Sequence, residues 1–189
     1  MTQTDRYITI AAAELLLAQP RRGLKIDPRG LIYDKNIAFD TMENYCRRTN
    51  QIRAELVSAA SPDGLMIRVG DRYIILYNEK SPPSRRMFTL AHEVGHIYLC
   101  HDNDSPEHER QANFFAAQLL MPPVFLKQIS READITPSGV SALFGVSVQV
   151  ATIQLAYMNA QPEFSEAELR LLEFSRGLLP NPHEPELGF

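Results

Sequence analysis

The stretch His92-Glu93-Val94-Gly95-His96 sets two histidines four residues apart and puts a glutamate directly after the first. On an α-helix, residues at that spacing lie one turn above each other on the same face. Two imidazoles so placed reach a single metal ion. Glu93 is rotated off their line. It can hold a water molecule for the metal to activate without occupying a metal position. This is the H-E-x-x-H arrangement of zinc hydrolases.

The flanking residues predict the helix. Ser81-Pro82-Pro83-Ser84 is a start signal, with serine as N-cap and proline tolerated at the first helical positions. Met87, Leu90, Ala91, Val94, Ile97 and Tyr98 then recur at three- and four-residue steps, the apolar stripe of a helix over 84–101. His92 and His96 lie beside that stripe. The plainer alternative, two histidines lining a core, requires polar partners for both and for Glu93. Gly95 suits close approach by another element or by substrate backbone. His101 is nine residues from His92, so helical spacing turns it to the opposite side, where it complements the helix C-terminus.

A catalytic zinc site takes three protein ligands and leaves a fourth position to water. Ser105-Pro106 opens a second helix, expected over 105–121 and ended by Pro122-Pro123. Ala112, Phe115, Ala116 and Leu119 form its apolar stripe, and the short preceding loop favours packing on the motif helix. Glu109 and Asn113 share one face beside that stripe. Glu109 can ligate zinc, and Asn113 can accept the Nδ1–H of a ligand histidine and so fix its tautomer. Glu107 and His108 compete with Glu109 from the first turn, where exposure is expected.

Composition sets bounds. The 189 residues suit one domain with a small helical appendage, and 44% hydrophobic with 22% charged residues is ordinary globular composition. Cys46 and Cys100 form no disulfide framework and are expected as free thiols in a reducing compartment, Cys100 as a small buried hydrophobe. Met1 to Arg6 does not read as a signal peptide, and Ile8 to Ala18 is too short to span a bilayer. It is expected as an amphipathic helix stopped at Pro20. The net charge of −4 argues against a nucleic-acid surface.

Elsewhere, helical periodicity runs through 36–60, with Met42, Tyr45, Thr49, Ile52 and Leu56 at near-helical steps. Residues 65–78 are expected as a β-hairpin turning at Gly70-Asp71, with the strand from Arg72 to Tyr77 apolar enough to be covered on both faces. An edge of this hairpin can take an extended peptide by strand addition, or the hairpin can be plain scaffolding. Val124 to Ile129 is a short helix. Ile135 to Leu155 then resembles a helix-turn-helix DNA reader around Phe144-Gly145-Val146-Ser147. No Lys or Arg occurs between Glu132 and Leu169, however, so the segment lacks the phosphate-neutralising charge of a DNA reader. It is expected to close the site or to dock the protein substrate. Ser165 with Glu168 makes a capping box for a last helix over 165–179. The proline-rich end, 180–189, is expected to be an extended tail.

The expected fold is thus α+β. Residues 1–125 form a mostly helical, zincin-like domain with a small antiparallel hairpin packed on the motif helix. Residues 126–179 form a C-terminal helical module.

Two stretches together resemble the ImmA/IrrE family of metallopeptidases. They are Phe88-Thr89-Leu90-Ala91-His92-Glu93-Val94-Gly95-His96 and Glu109-Arg110-Gln111-Ala112-Asn113-Phe114-Phe115-Ala116-Ala117-Gln118-Leu119-Leu120-Met121-Pro122. The family pattern is similar to H-E-x-G-H followed by E-x-E-A-N-x-F-A-x-x-L-L-M-P. Gln111 stands where that pattern has its second glutamate. An amide is a poor zinc ligand, which favours Glu109. The resemblance implies a cytoplasmic endopeptidase of bacteria or their mobile elements that cleaves or inactivates a helix-turn-helix repressor encoded nearby.

The mechanism expected from motif and resemblance has one zinc ion on His92, His96 and Glu109. Glu93 takes a proton from the attacking water and delivers it to the leaving amine. A second donor assists the oxyanion, and Tyr77, Tyr98, His101, His108 and Tyr157 are all chemically able to serve. Zinc is inferred from ligand type over manganese or iron. Two alternatives stand beside hydrolysis: a zinc-bound module that sequesters a repressor uncut, and a DNA-binding regulator.

Overall fold

A computed structural model describes residues 2–20, 23–50, 61–103, 105–160 and 163–178. Among these, eight α-helices surround a small mixed sheet. Helix α1 spans Gln3–Leu17 and opens on a capping box of Thr2 and Asp5. Strand β1, Ile37–Thr41, runs directly into α2, Met42–Thr49, where Thr41 becomes the N-cap. Strands β2, Gly64–Val69, and β3, Arg72–Tyr77, form the hairpin. Gly70 at φ +63° supplies its turn, a backbone region closed to most other residues.

The sheet order is β1-β3-β2. β2 pairs antiparallel to β3, whereas β1 pairs parallel to it, with Ile37 opposite Tyr73 and Thr41 opposite Tyr77. Two expectations are corrected here. The sheet is mixed rather than a lone antiparallel hairpin, and the helix expected over 36–60 begins only at Met42. Ile37 to Thr41 extends because a ready edge of β3 satisfies its backbone, a long-range gain that local periodicity does not register. Ile52 and Leu56 lie outside the described residues. As the central strand, β3 buries Ile75, Leu76 and Tyr77 in succession. Successive side chains point to opposite faces, so this half of the strand is covered on both.

Helix α3 spans Pro83–Tyr98 and α4 spans Pro106–Leu120. Pro82 occupies the N-cap of α3 without a side-chain cap bond, so the serine cap expected there is absent. Ser105 does cap α4, accepting from the His108 N–H. The two helices pack on each other, α3 also covers the hairpin, and α1 lies along α4. Leu90, Val94, Phe115 and Leu119 are fully buried between them, each worth roughly 1.5–3 kcal/mol of apolar burial.

Behind α4 come α5, Pro123–Glu132, α6, Pro137–Phe144, α7, Val148–Ala160, and α8, Glu166–Phe174. The expected Ser165–Glu168 capping box is present, but α8 ends before residue 179. The turn between α6 and α7 is made at Gly145, φ +73°, and bends the pair by 109°. Val140, Phe144, Val146 and Ala151 face inward and share one hydrophobic cluster with Ile8, Phe115, Leu126 and Leu171. Gln154 of α7 donates to the Met121 carbonyl, tying this pair to the end of α4. No single helix among the described residues is long and apolar enough to cross a membrane.

Candidate metal centre

α3 presents His92 and His96 one turn apart, as helical geometry requires, and α4 brings Glu109 across from them. His92 Nε2 and His96 Nε2 are 3.0 Å apart. The Glu109 carboxylate oxygens lie 3.4 Å from His92 Nε2 and 3.3 Å from His96 Nε2. One ligand atom from each residue therefore falls within a 4.8 Å cluster. Tetrahedral zinc, with bonds of about 2.0–2.1 Å, sets its ligand atoms about 3.3–3.4 Å apart. The donor set thus fits a metal ion in spacing as well as in chemistry.

Helix packing explains why Glu109 arrives there. Gly95 presents no side chain to α4, and Ala112 and Ala116 on α4 are fully buried. Small residues on both sides let the backbones approach, so a carboxylate on α4 reaches imidazoles on α3. Asn113, one turn beyond Glu109, sets its Oδ1 3.1 Å from His92 Nδ1. That contact takes the Nδ1–H and leaves the Nε2 lone pair facing His96 and Glu109. Burial pushes the His92 pKa down, against the pull of the Glu109 charge and the Asn113 bond, which favours the neutral ring that a metal needs.

The three donors line a cleft of about 770 Å³ together with Glu93, Asn113, His101, Phe88 and Thr89. Gly64, Leu65 and Met66 of β2 form one wall, and Asp63, which pairs with Arg85, stands at its end. Glu93 is half-buried and shares this space with the donor cluster. Glu107, a competitor for the third ligand, is engaged elsewhere, paired with Arg110 and bonded to Gln111. His108, the other, turns its Nδ1 to the Asn103 carbonyl.

Of the five candidate oxyanion donors, all within the described residues, His101 alone lines the cleft. The Tyr98 hydroxyl donates to Asp34, and the Tyr77 hydroxyl accepts from Arg29. Tyr157 packs edge-on against Phe114. His108 stacks on His101, with ring centroids 4.1 Å apart.

The position of His101 corrects the helical-spacing expectation. α3 ends at Tyr98, and Cys100 adopts the left-handed conformation at φ +56°. The His101 N–H returns to the His96 carbonyl at 3.0 Å and the Cys100 N–H to the Ile97 carbonyl at 3.3 Å. This pair of bonds is a Schellman motif, which folds the second residue past the cap back over the last turn. His101 Nδ1 consequently sits 3.1 Å from His96 Nδ1, and His101 Nε2 sits 3.0 Å from Gln111 Oε1. Cys100, expected to be buried, is exposed. The signal in the sequence was the run of apolar residues ending before Cys100-His101-Asp102, but with no glycine the stop was hidden.

Two histidines one turn apart, a carboxylate from the next helix and a neighbouring glutamate in one cleft make the kind of site that metal-dependent hydrolases use. Residues 47–156, more than half the chain, match the IrrE N-terminal-like domain, and the chain belongs to the ImmA/IrrE family of metallopeptidases. No curated protein matches it.

Proposed function

We propose that the protein is a zinc-dependent endopeptidase acting in the cytoplasm on a helix-turn-helix transcriptional repressor, so that hydrolysis induces the repressed genes. The observation that carries this reading is the shared cleft. Glu93 opens into the same space as His92, His96 and Glu109. Zinc held by those three residues would supply Lewis acidity and bring a water pKa towards about 7. Asn113 holds His92 in the ligating tautomer. Glu93 takes a proton from the attacking water and passes it to the departing amine nitrogen. Beside the site, the outer edge of β2 pairs with no strand among the described residues, and Gly64 to Met66 border the cleft. An extended segment of substrate adds there by backbone hydrogen bonding, which places its carbonyl near Glu93. The α6–α7 pair carries no Lys or Arg, so it serves protein contacts rather than DNA.

The test is incubation of the zinc-loaded protein with a repressor encoded beside it, followed by intact-mass analysis. Two fragments whose masses sum to the repressor plus one water support hydrolysis. An intact repressor held in a stable complex overturns hydrolysis in favour of sequestration.

A further inference from the structure

The Schellman turn that brings His101 back onto His96 also joins it to a chain of hydrogen bonds with a fixed direction. Its far end is Glu107. Both carboxylate oxygens of Glu107 face the Arg110 guanidinium, and Oε1 also lies 2.8 Å from Gln111 Nε2. Arg110 in turn reaches Asp5 at the start of α1. A carboxylate so engaged only accepts, so the Gln111 amide must turn its NH2 to Glu107. Its Oε1 then faces His101 Nε2 at 3.0 Å and can only accept, so His101 carries its proton on Nε2. The neutral His101 ring is left with a lone pair on Nδ1, 3.1 Å from His96 Nδ1. His96 must therefore carry its proton on Nδ1, and its Nε2 presents a lone pair to His92 and Glu109.

With His101 neutral, the opposite assignment is disfavoured at each link from Glu107 to His96, and its one gain is a proton shared with the His92 Nε2 and Glu109 acceptors. A proton on His96 Nε2 would close the ligating position. It would also need His101 to donate from Nδ1, leaving its Nε2 lone pair against the Gln111 oxygen. Reversing Gln111 would set that oxygen against the Glu107 carboxylate. Each mismatch sets two acceptors or two donors face to face.

We propose that Gln111 is a positioning residue: acting through His101 and oriented by Glu107, it locks His96 in the tautomer that binds metal. Gln111 is also where this chain departs from the glutamate of the family pattern, and its amide, unlike a carboxylate, both donates to Glu107 and accepts from His101. The proposal rests on the metal-centre reading above. It also makes a claim about the metal-free protein that does not depend on that reading.

The experiment uses the full chain and zinc alone as the probe. Imidazole ¹⁵N shifts from two-bond correlation spectra of the metal-free protein report each histidine's tautomer, and competition against a chelator reports zinc affinity. His96 is expected as the Nδ1–H form in the wild type. Gln111→Leu should mix the two forms and weaken zinc roughly 10–100-fold, the usual loss for groups that orient a ligand histidine. Glu107→Gln, an exposed change that leaves packing intact, should shift both readouts in the same direction by less. His96 held as Nδ1–H with unchanged zinc affinity in both variants would overturn the proposal, as would an Nε2–H form in the wild type. If the wild type binds no zinc, the metal-centre reading fails, while the tautomer shifts still decide the relay.

Discussion

Gly95 lies against Phe115: a β-carbon at position 95 would stand 3.1 Å from Phe115 Cδ1 and 3.2 Å from the Ala112 carbonyl oxygen. Phe115 is fully buried and the carbonyl belongs to the α4 backbone, so neither yields easily. Gly95→Ala should therefore push α4 away from α3 and carry Glu109 from its place opposite His92 and His96. Overpacking of this kind costs about 1–3 kcal/mol. For a chain of this length each kcal/mol lowers Tm by roughly 2–4 °C. Thermal unfolding and zinc competition measured together check the coupling. A variant with wild-type Tm and wild-type affinity would show that the contact does not set the site.

Glu109 is the donor that comes from a separate helix, and Glu107 and His108 are occupied elsewhere. Glu109→Ala should leave His92 and His96 in place on α3 but remove the third ligand. Native mass spectrometry is expected to find one zinc per wild-type chain and a weakened or lost zinc in the variant. Full retention in Glu109→Ala would move the third ligand to another residue.

The motif residues and Glu109 were legible in the sequence because both depend on helical periodicity, a local property. The Glu109–Asn113 spacing placed a carboxylate and a partner for His92 on one face, and the structure brings both to the site. The hairpin was legible for the same reason, since the apolar run of β3 and Gly70-Asp71 are local signals. β1 was not. Its pairing to β3 joins segments far apart in the chain, and Ile37 to Thr41 carries no alternation strong enough to announce it. His101 was misplaced because a non-glycine residue made the helix stop. Gln111 read as a departure from a pattern, and only its contacts with Glu107 and His101 give it a role.

Cys100 adopts φ +56° with its side chain exposed. A side chain in the left-handed region costs roughly 1–2 kcal/mol, of which glycine's extra freedom in the unfolded chain cancels about 0.5–1. Cys100→Gly should therefore stabilise the protein by about 0.5–1 kcal/mol while keeping the turn that seats His101. Cys100→Ala retains a β-carbon and should change stability little. Urea unfolding of the three proteins checks this ordering. Equal midpoints for Gly and Ala would show that the turn stores no such strain.

Glu93 follows His92 on α3 and opens into the cleft with the three donors, yet it is not one of the clustered ligand atoms. A carboxylate there can accept a proton and release it again, whereas an amide of the same size cannot. Glu93→Gln should thus leave zinc affinity and Tm near wild type, because no donor is removed and side-chain volume is kept. Turnover should fall by about 10²–10⁴-fold, the range attributed to a positioned general base. Zinc competition, thermal unfolding and the repressor cleavage rate, measured on one preparation, separate these effects. Cleavage at the wild-type rate would take Glu93 out of the reaction. A parallel loss of zinc would instead make it part of the metal site.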